Sequence, residues 1–196
     1  RPLRKNVAIS IDGGGIKGIV VTRALAIVES YLRQPLHRVV GLATGTSTGA
    51  IISAALAMGL TAQQMYELYV AMGSAVFRKS WRTRLWPLVR FKYPLEPLEG
   101  ALQRVVGDIT MAELWTRSKG MDLVITAFDL VENRTRFFKP WKAEYARLPL
   151  RTAVLASCAV PTYFPVVAGR FVDGGVGSYG NPCYLAAFEL QEVLHW

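Results

Sequence analysis

A pentapeptide between a strand-like run and a helix-like run constrains this chain more than any other feature. Gly45-Thr46-Ser47-Thr48-Gly49 follows the apolar residues 39–43 and precedes the helix-like residues 50–57. This is a Gly-x-Ser-x-Gly turn in a strand–turn–helix context. Its glycines let the helix approach the strand where side chains would clash, and the helix N-terminus favours negative charge beside the turn. We expect Ser47 to be strained and exposed above the sheet, as in a serine hydrolase.

Strand-like and helix-like segments alternate along the chain. Strands are predicted at residues 7–11, 38–43, 122–128, 134–138 and 171–172. Helices are predicted at residues 16–32, 50–58, 97–106 and 149–156, from Thr61, from Thr110 and from Pro182 onwards. The helices at Thr61 and Thr110 each begin with a capping box, which Gln64 and Glu113 complete. The alternation predicts an α/β fold with a mainly parallel sheet covered on both faces.

Length and composition indicate one compact domain. The 196 residues are 52% hydrophobic, yet no apolar stretch reaches the 18 residues of a membrane span. The first residues lead directly into a strand without a secretory signal, and the missing initial Met suggests a chain trimmed at one or both ends. The two cysteines, Cys158 and Cys183, do not form a disulfide framework, so a reducing, cytoplasmic location is expected.

Positive charge is concentrated in one segment. The net charge is +9, and residues 78–93 interleave Arg and Lys with aromatic side chains. No nucleic-acid-binding signature accompanies this block, so nucleic acid is not an expected partner. Aromatic and cationic side chains suit the surface of an anionic membrane, although a loop that packs its aromatics on the domain's own core is an equal alternative. The candidate membrane contacts are Trp81, Arg82, Arg84, Trp86, Arg90 and Phe91.

A second glycine cluster, residues 12–18, follows the first strand and opens a helix. Its uncovered backbone N–H groups suit an anion, which fits either an oxyanion hole or a dinucleotide site. Gly13, Gly15 and Gly18 satisfy the dinucleotide pattern, but that site needs an acidic residue at the end of the second strand. Glu29 lies within the first helix instead. A simple tight turn is the third interpretation.

A nucleophilic serine needs a base, and the two histidines are poor candidates. His37 precedes the second strand, away from the Ser47 turn, and His195 is the penultimate residue. Asp173 follows a strand and precedes Gly174 and Gly175, so other loops can approach it closely. A carboxylate can act as the base if burial raises its pKa, although an ordinary Asp-Gly turn is also possible.

Four segments, taken in order, resemble the patatin-like phospholipase family: residues 12–18, 45–49, 157–165 and 173–175. The resemblance implies a three-layer α/β/α fold and a catalytic dyad of Ser47 and Asp173 in place of a triad. It also implies lipid acyl hydrolysis without a metal or another cofactor. The residues expected to support these motifs are Asp12, Lys17, Gly18, Gly45, Gly49, Gly174 and Gly175.

The glycine motif departs from the family at one position, because Lys17 stands where the family usually has Arg. Lysine keeps the charge but loses the bidentate geometry of a guanidinium. Substrate preference is expected to shift if this side chain binds a phosphate or a carboxylate.

The expected function is therefore that of a phospholipase A-type enzyme, with residues 1–196 forming one catalytic domain. Ser47 would attack the fatty-acyl ester, Asp173 would act as base, and the amides of Gly13, Gly14 and Gly15 would bind the oxyanion. The expected partner is a phospholipid or another acyl lipid at a membrane surface. Two alternatives remain open, namely a noncatalytic lipid- or nucleotide-binding module and a NAD-dependent oxidoreductase.

Overall fold

A five-stranded β-sheet organises the part of the chain that the computed structural model describes, which is residues 6–76, 90–118, 121–193 and 195. Its strands are β1 (Ala8–Ile11), β2 (Leu42–Gly45), β3 (Asp122–Asp129), β4 (Arg134–Phe138) and β5 (Phe171–Asp173). Strands β1, β2 and β3 are mutually parallel, whereas β4 and β5 each pair with β3 in the antiparallel direction. The expected α/β class with a mainly parallel centre is confirmed.

The pairing register places the ends of β2 and β5 together. Gly45 of β2 lies opposite Ile125, and Asp173 of β5 lies opposite Ala127. Strand β4 pairs with both of these β3 residues along one edge, so β2 and β5 share the other edge. They run in opposite directions along it, and their carboxyl ends therefore meet beside Thr126. The residues that follow β2 and the last residue of β5 are brought together in this way.

Helices cover both faces of the sheet. The structure contains α1 (Gly18–Leu32), α2 (Thr48–Ala57), α3 (Ala62–Val76), α4 (Glu96–Val106), α5 (Met111–Ser118), α6 (Leu150–Cys158) and α7 (Cys183–Phe188). Side chains alternate along a strand, so Ala43 and Leu123 face the main core under α2 and α6, whereas Leu42 and Val124 face Leu185 of α7. The expected three-layer α/β/α arrangement is confirmed.

Both predicted capping boxes are present at the starts of their helices. The Thr61 N–H donates to Gln64 Oε1 at 2.8 Å, and the Gln64 N–H donates to Thr61 Oγ1 at 3.2 Å. Thr110 and Glu113 make the same reciprocal pair at 2.8 and 3.2 Å. Each pair satisfies helix-terminal amides that have no partner within the helix.

Strand β2 begins later than its composition predicts. Residues 38–43 were expected to be extended, but the N–H groups of Val39 and Val40 both donate to the Leu36 carbonyl in a tight turn. Those amides are therefore unavailable to the sheet, and pairing starts at Leu42. Most of the basic and aromatic block, residues 77–89, lies outside the described residues. None of the described helices combines the length and apolar character that crossing a membrane requires.

Candidate active site

The turn after β2 holds Ser47 in a strained backbone conformation. Its φ of 56° and ψ of −123° lie in a region that residues with a side chain rarely adopt. A Cβ on Gly45 would lie 2.2 Å from the Gly49 carbonyl oxygen, and a Cβ on Gly49 would lie 1.9 Å from that of Ile11. Helix α2 thus approaches both β1 and β2 at contact distance. Ser47 itself is only 7% exposed, so the expectation of an exposed serine is wrong, and its side chain is reached through a cavity.

Two side chains at the end of helix α6 make hydrogen bonds with the backbone of this strained serine. The Ser47 N–H donates to Ser157 Oγ at 2.9 Å, and the Cys158 thiol donates to the Ser47 carbonyl at 3.2 Å. Burial, and next the charge of Asp173, raise the pKa of the Cys158 thiol well above its ordinary value, so it stays a protonated donor. Sequence reasoning included these two residues in a motif but gave them no role. The sequence feature that could have indicated this role is a pair of small polar residues at the end of the helix that precedes Asp173.

Asp173 lies buried beside Ser47 at the end of β5. Its Oδ1 accepts a hydrogen bond from the Gly175 N–H at 2.8 Å. Its Oδ2 is buried and has no partner of full hydrogen-bond geometry among the described residues. Burial raises the pKa of this carboxyl, and hydrogen bonding from the Ser47 side chain and the Gly175 amide opposes that rise. The site therefore contains a hydroxyl next to a carboxylate with one oxygen free to accept a proton.

Two buried threonines tie together the ends of the strands beneath this pair. The Thr46 hydroxyl donates to the Tyr179 carbonyl at 2.5 Å, so in its 2.6 Å contact with Thr126 it must be the acceptor. A Cβ on Gly174 would lie 2.1 Å from Thr126 Oγ1, which explains the need for glycine directly after Asp173. The sequence analysis quoted Thr46 within the Ser47 turn but gave it no role, and Thr126 was missed because only the register of β3 places it there.

The glycine loop after β1 leaves two of its three predicted donors without an acceptor among the described residues. The Gly13 N–H already donates to the Gly180 carbonyl at 2.9 Å. Gly14 and Gly15 line the cavity with Ser47, and their N–H groups have no acceptor among the described residues. The geometry therefore differs from the expectation that all three amides are available.

The other motif residues of this loop have structural surroundings. The Asp12 carboxylate accepts from the Asn181 amide at 3.3 Å. Gly18 is buried where a Cβ would lie 2.4 Å from Thr48 Cγ2 and 2.6 Å from the Tyr69 ring. Lys17 is exposed, and within the described ranges no acidic side chain pairs with it.

An apolar cavity of about 330 Å³ opens beside Ser47. This volume lies at the lower end of the roughly 300–1,000 Å³ range of small-molecule sites. None of its described lining residues is charged. They are Gly14, Gly15, Ile16, Ser47, Thr48, Ile51, Tyr69, Met72, Gly73, Val76, Leu98, Cys158, Val160, Tyr163 and Phe164. Such a cavity suits a hydrocarbon chain whose polar end lies at the serine.

Neither a histidine nor a metal cluster accompanies Ser47 in the described part of the chain. His37 lines a separate cavity of about 230 Å³ and precedes β2, at the end of that strand remote from Ser47. In the ranges that the structure covers, no group of three or more His, Cys, Asp and Glu is placed to hold a metal ion.

Comparison with known proteins gives a consistent set of relatives. The model of the family described as Patatin-like phospholipase matches residues 9–187. The chain is 30% identical to the intracellular phospholipase A2 of Caenorhabditis elegans, over 95% of this chain and 17% of that protein. It is 27% identical to the cGAMP-activated phospholipase of Vibrio cholerae, over 93% of this chain and 57% of that protein. The chain therefore spans much less than the full length of either relative.

Two further comparisons agree. The chain is 30% identical to the 85/88 kDa calcium-independent phospholipase A2 of Rattus norvegicus, over 94% of this chain and 24% of that protein. The crystal structure of VipD from Legionella pneumophila superposes with a TM-score of 0.56 at 13% identity, over 89% of this chain and 46% of that chain. At this identity, the superposition shows a shared fold.

Proposed function

Because the chain belongs to the patatin-like phospholipase family, we propose that it hydrolyses fatty-acyl ester bonds of phospholipids or related acyl lipids. Relatives from a nematode, a bacterium and a rat are named phospholipases. One observation carries the proposal. Ser47, in a strained turn, lies next to the buried carboxylate of Asp173 at the wall of an apolar cavity.

In the first half of the reaction, Ser47 Oγ forms a bond to the ester carbonyl carbon. The hydroxyl proton passes to Asp173 Oδ2, the oxygen without a fixed partner. The carbonyl oxygen becomes an oxyanion and accepts hydrogen bonds from the amides of Gly14 and Gly15. Each well-placed donor of this kind contributes about 3 kcal/mol to the transition state. Gly13, whose amide is occupied, shapes the loop.

The second half releases the products and restores the serine. The bond from the carbonyl carbon to the alcohol oxygen breaks, and that oxygen takes the proton from Asp173 as the lysolipid leaves. Water then attacks the acyl group on Ser47, and Asp173 accepts the proton of that water. When the fatty acid leaves, the proton returns to Ser47 Oγ. The carboxylate thus serves as base and then as acid during acylation of Ser47, and again as base and then as acid during deacylation.

The cavity supports this assignment of substrate, because its mostly apolar lining matches an acyl chain and also includes Ser47, Gly14 and Gly15. We also propose that the basic and aromatic block contacts a membrane surface. Arg90 is exposed and Phe91 is partly buried, while Trp81, Arg82, Arg84 and Trp86 lie outside the described residues. Vesicle sedimentation at graded salt tests this contact, and binding that ignored both salt and anionic lipid would contradict it.

A panel of phospholipids, galactolipids and neutral glycerides, with products identified by mass spectrometry, tests the activity. Ser47→Ala and Asp173→Asn should each abolish hydrolysis while leaving the fold intact. Ser53→Ala is the matched control, because Ser53 is another fully buried serine, and its hydroxyl donates to the Thr44 carbonyl. Substantial hydrolysis by either site variant would refute the dyad.

A fluorophosphonate probe separates an enzyme from a noncatalytic binding module on the same fold. An activated serine should react with the probe in the parent protein and in Ser53→Ala, but not in Ser47→Ala. Absence of labelling in the parent protein would favour a binding module.

A further inference from the structure

Helix α1 presents apolar side chains where a surface helix ordinarily presents polar ones. Ile16, in the turn that leads into α1, and then Val20, Ala24, Ile27 and Tyr31 recur at helical spacing and are all exposed. We call these five residues the α1 stripe. The exposed fractions of Val20 and Tyr31 are 67% and 83%. Single exposed apolar residues are ordinary, whereas a row along a whole helix marks an interaction surface.

The α1 stripe begins at the mouth of the catalytic cavity. Ile16 is half-exposed and also lines the cavity together with Gly14 and Gly15. Its side chain packs against Gly73 of α3, where a Cβ would lie 2.7 Å from Ile16 Cδ1. A surface that covers the stripe would therefore also cover the entrance to Ser47.

The charges beside the stripe are positive. Lys17, Arg23 and Arg33 are exposed along α1. One acid, Glu29, lies within this helix, and its two carboxylate oxygens accept the backbone N–H groups of Leu36, in the turn after α1, and of Ala62, at the start of α3, each at 2.8 Å. Three cations thus lie along the helix against one acid. An apolar helix face flanked by cations fits a surface that is apolar inside and anionic at its boundary.

A groove next to the stripe offers a place for an anionic group. It has a volume of about 580 Å³ and lies between the end of α1 and the start of α3. Its charged lining residues are Arg23, Arg33 and Glu29, and the Glu29 carboxylate is held by the two backbone N–H groups described above. The Arg23 guanidinium also lies over the Tyr66 ring, 5.7 Å from its centroid. Guanidinium groups are suited to phosphate recognition. A second copy of this chain would instead bring the same cations against one another, since a two-fold contact pairs a patch with itself.

We infer that the α1 stripe docks the domain on a bilayer that contains anionic phospholipid, with Arg23 and Arg33 contacting headgroup phosphates. The inference rests on the proposed function for the identity of the substrate. In all other respects the docking inference is independent of the proposed function, because docking requires no hydrolysis. Docking would place the cavity mouth at the lipid surface from which an acyl chain must enter.

Sedimentation with vesicles of phosphatidylcholine, with and without phosphatidylglycerol, tests the inference in the parent protein and in Ser47→Ala. The double variant Val20→Glu/Tyr31→Glu should lower the partition coefficient at least about tenfold, because both side chains lose their transfer into the interface. Val131→Glu and Tyr184→Glu are the matched controls. These residues are 71% and 76% exposed and lie off the stripe, on the β3–β4 turn and on α7, so binding should not change.

The two arginines test the electrostatic part of the docking. Arg23→Gln/Arg33→Gln should weaken binding to the anionic vesicles and reduce its salt dependence, with little effect on neutral vesicles. Thermal unfolding and hydrolysis of a soluble short-chain ester report whether each variant is folded.

Four results would overturn the inference. The first is a parent protein that binds neither kind of vesicle, and the second is unchanged binding by the Val20→Glu/Tyr31→Glu variant. The third is an equal loss of binding in the control variants. The fourth is a parent protein that binds no vesicles but is a dimer in light scattering, while the Val20→Glu/Tyr31→Glu variant is a monomer. Stripe-dependent vesicle binding by a protein with no esterase activity would refute the proposed function and leave the docking surface supported.

Discussion

Ser157→Ala removes the acceptor for the Ser47 N–H and should damage catalysis more than substrate binding. In the structure that N–H donates to Ser157 Oγ at 2.9 Å, and Ser157 is fully buried. Without the hydroxyl the amide is left unpaired in the interior, which costs about 1–3 kcal/mol of folding stability. The φ of 56° at Ser47 is itself a strained state that costs about 1–3 kcal/mol and persists only where its surroundings enforce it.

Relaxation of that turn would move Ser47 Oγ relative to Asp173. A displacement of about 1 Å at a reacting atom lowers the rate about 100-fold, so kcat should fall by about 10- to 100-fold. The KM should change little, because Ser157 is not among the residues that line the cavity. Steady-state hydrolysis of a soluble ester gives kcat and KM, and urea unfolding gives the stability change.

Ser53→Ala is the control for this prediction. It removes another fully buried hydroxyl, which donates to the Thr44 carbonyl at 3.2 Å, and should cost about 1 kcal/mol without an effect on kcat. A Ser157→Ala protein with reduced stability but parental kcat would refute the positioning role. An equal loss of kcat in both variants would refute it as well.

Burial raises the pKa of Asp173, so the acid limb of the pH–rate profile should lie above the ordinary aspartate pKa of about 3.9, and a limb at or below that value would contradict the assignment. A raised pKa means that ionised Asp173 destabilises the fold. This cost is complete above the pKa of the folded state and absent below the pKa of the unfolded state. Asp173→Asn should therefore raise Tm at pH 7 while abolishing activity. Hydrogen bonding from Arg170 is the main cause that lowers the pKa of Asp129 to about 2. The shift corresponds to about 2 kcal/mol in the free energy of unfolding. This stability is present above the pKa of the unfolded state and is lost as the pH falls towards 2. In urea unfolding, Asp129→Asn should therefore be less stable than the parent by about 2 kcal/mol at pH 7 and by less at pH 3. The same difference in unfolding free energy at both pH values would refute this linkage. Gly49→Ala should prevent soluble expression, because its Cβ would lie 1.9 Å from the Ile11 carbonyl oxygen. Gly100→Ala, whose Cβ meets nothing within 4 Å, should instead raise the free energy of unfolding in urea by about 0.5–1 kcal/mol.

Features that depend on neighbouring residues were predictable from the sequence. The capping boxes at Thr61 and Thr110 formed as expected, because their partners lie three residues away in the same helix turn. The same holds for the hairpin of β3 and β4, whose strands appear at nearly the predicted bounds. The late start of β2 was missed, because β-branched composition at Val39 and Val40 does not reveal that their amides are captured by Leu36.

The candidate site was predictable in its residue types and less so in its geometry. The sequence drew attention to Ser47 and Asp173, and the structure places them together, with the carboxylate buried. It did not show that the Gly13 amide is taken by Gly180, since that bond joins two loops distant in sequence. Nor did it show that Ser157 holds the Ser47 amide.

The sequence by itself predicted a mainly parallel sheet covered on both faces and the strained turn at Ser47, because apolar periodicity and glycine spacing act through burial and local sterics. The order of its motifs carried the resemblance to the patatin-like phospholipase family and to its three-layer α/β/α fold. Only the tertiary structure decided how the site is assembled. Strands β2 and β5 lie end to end along one edge of β3, so Gly45 and Asp173 flank Thr126. Those pairings join segments that are far apart in the sequence, so they are formed only when the strands pack together in the folded chain.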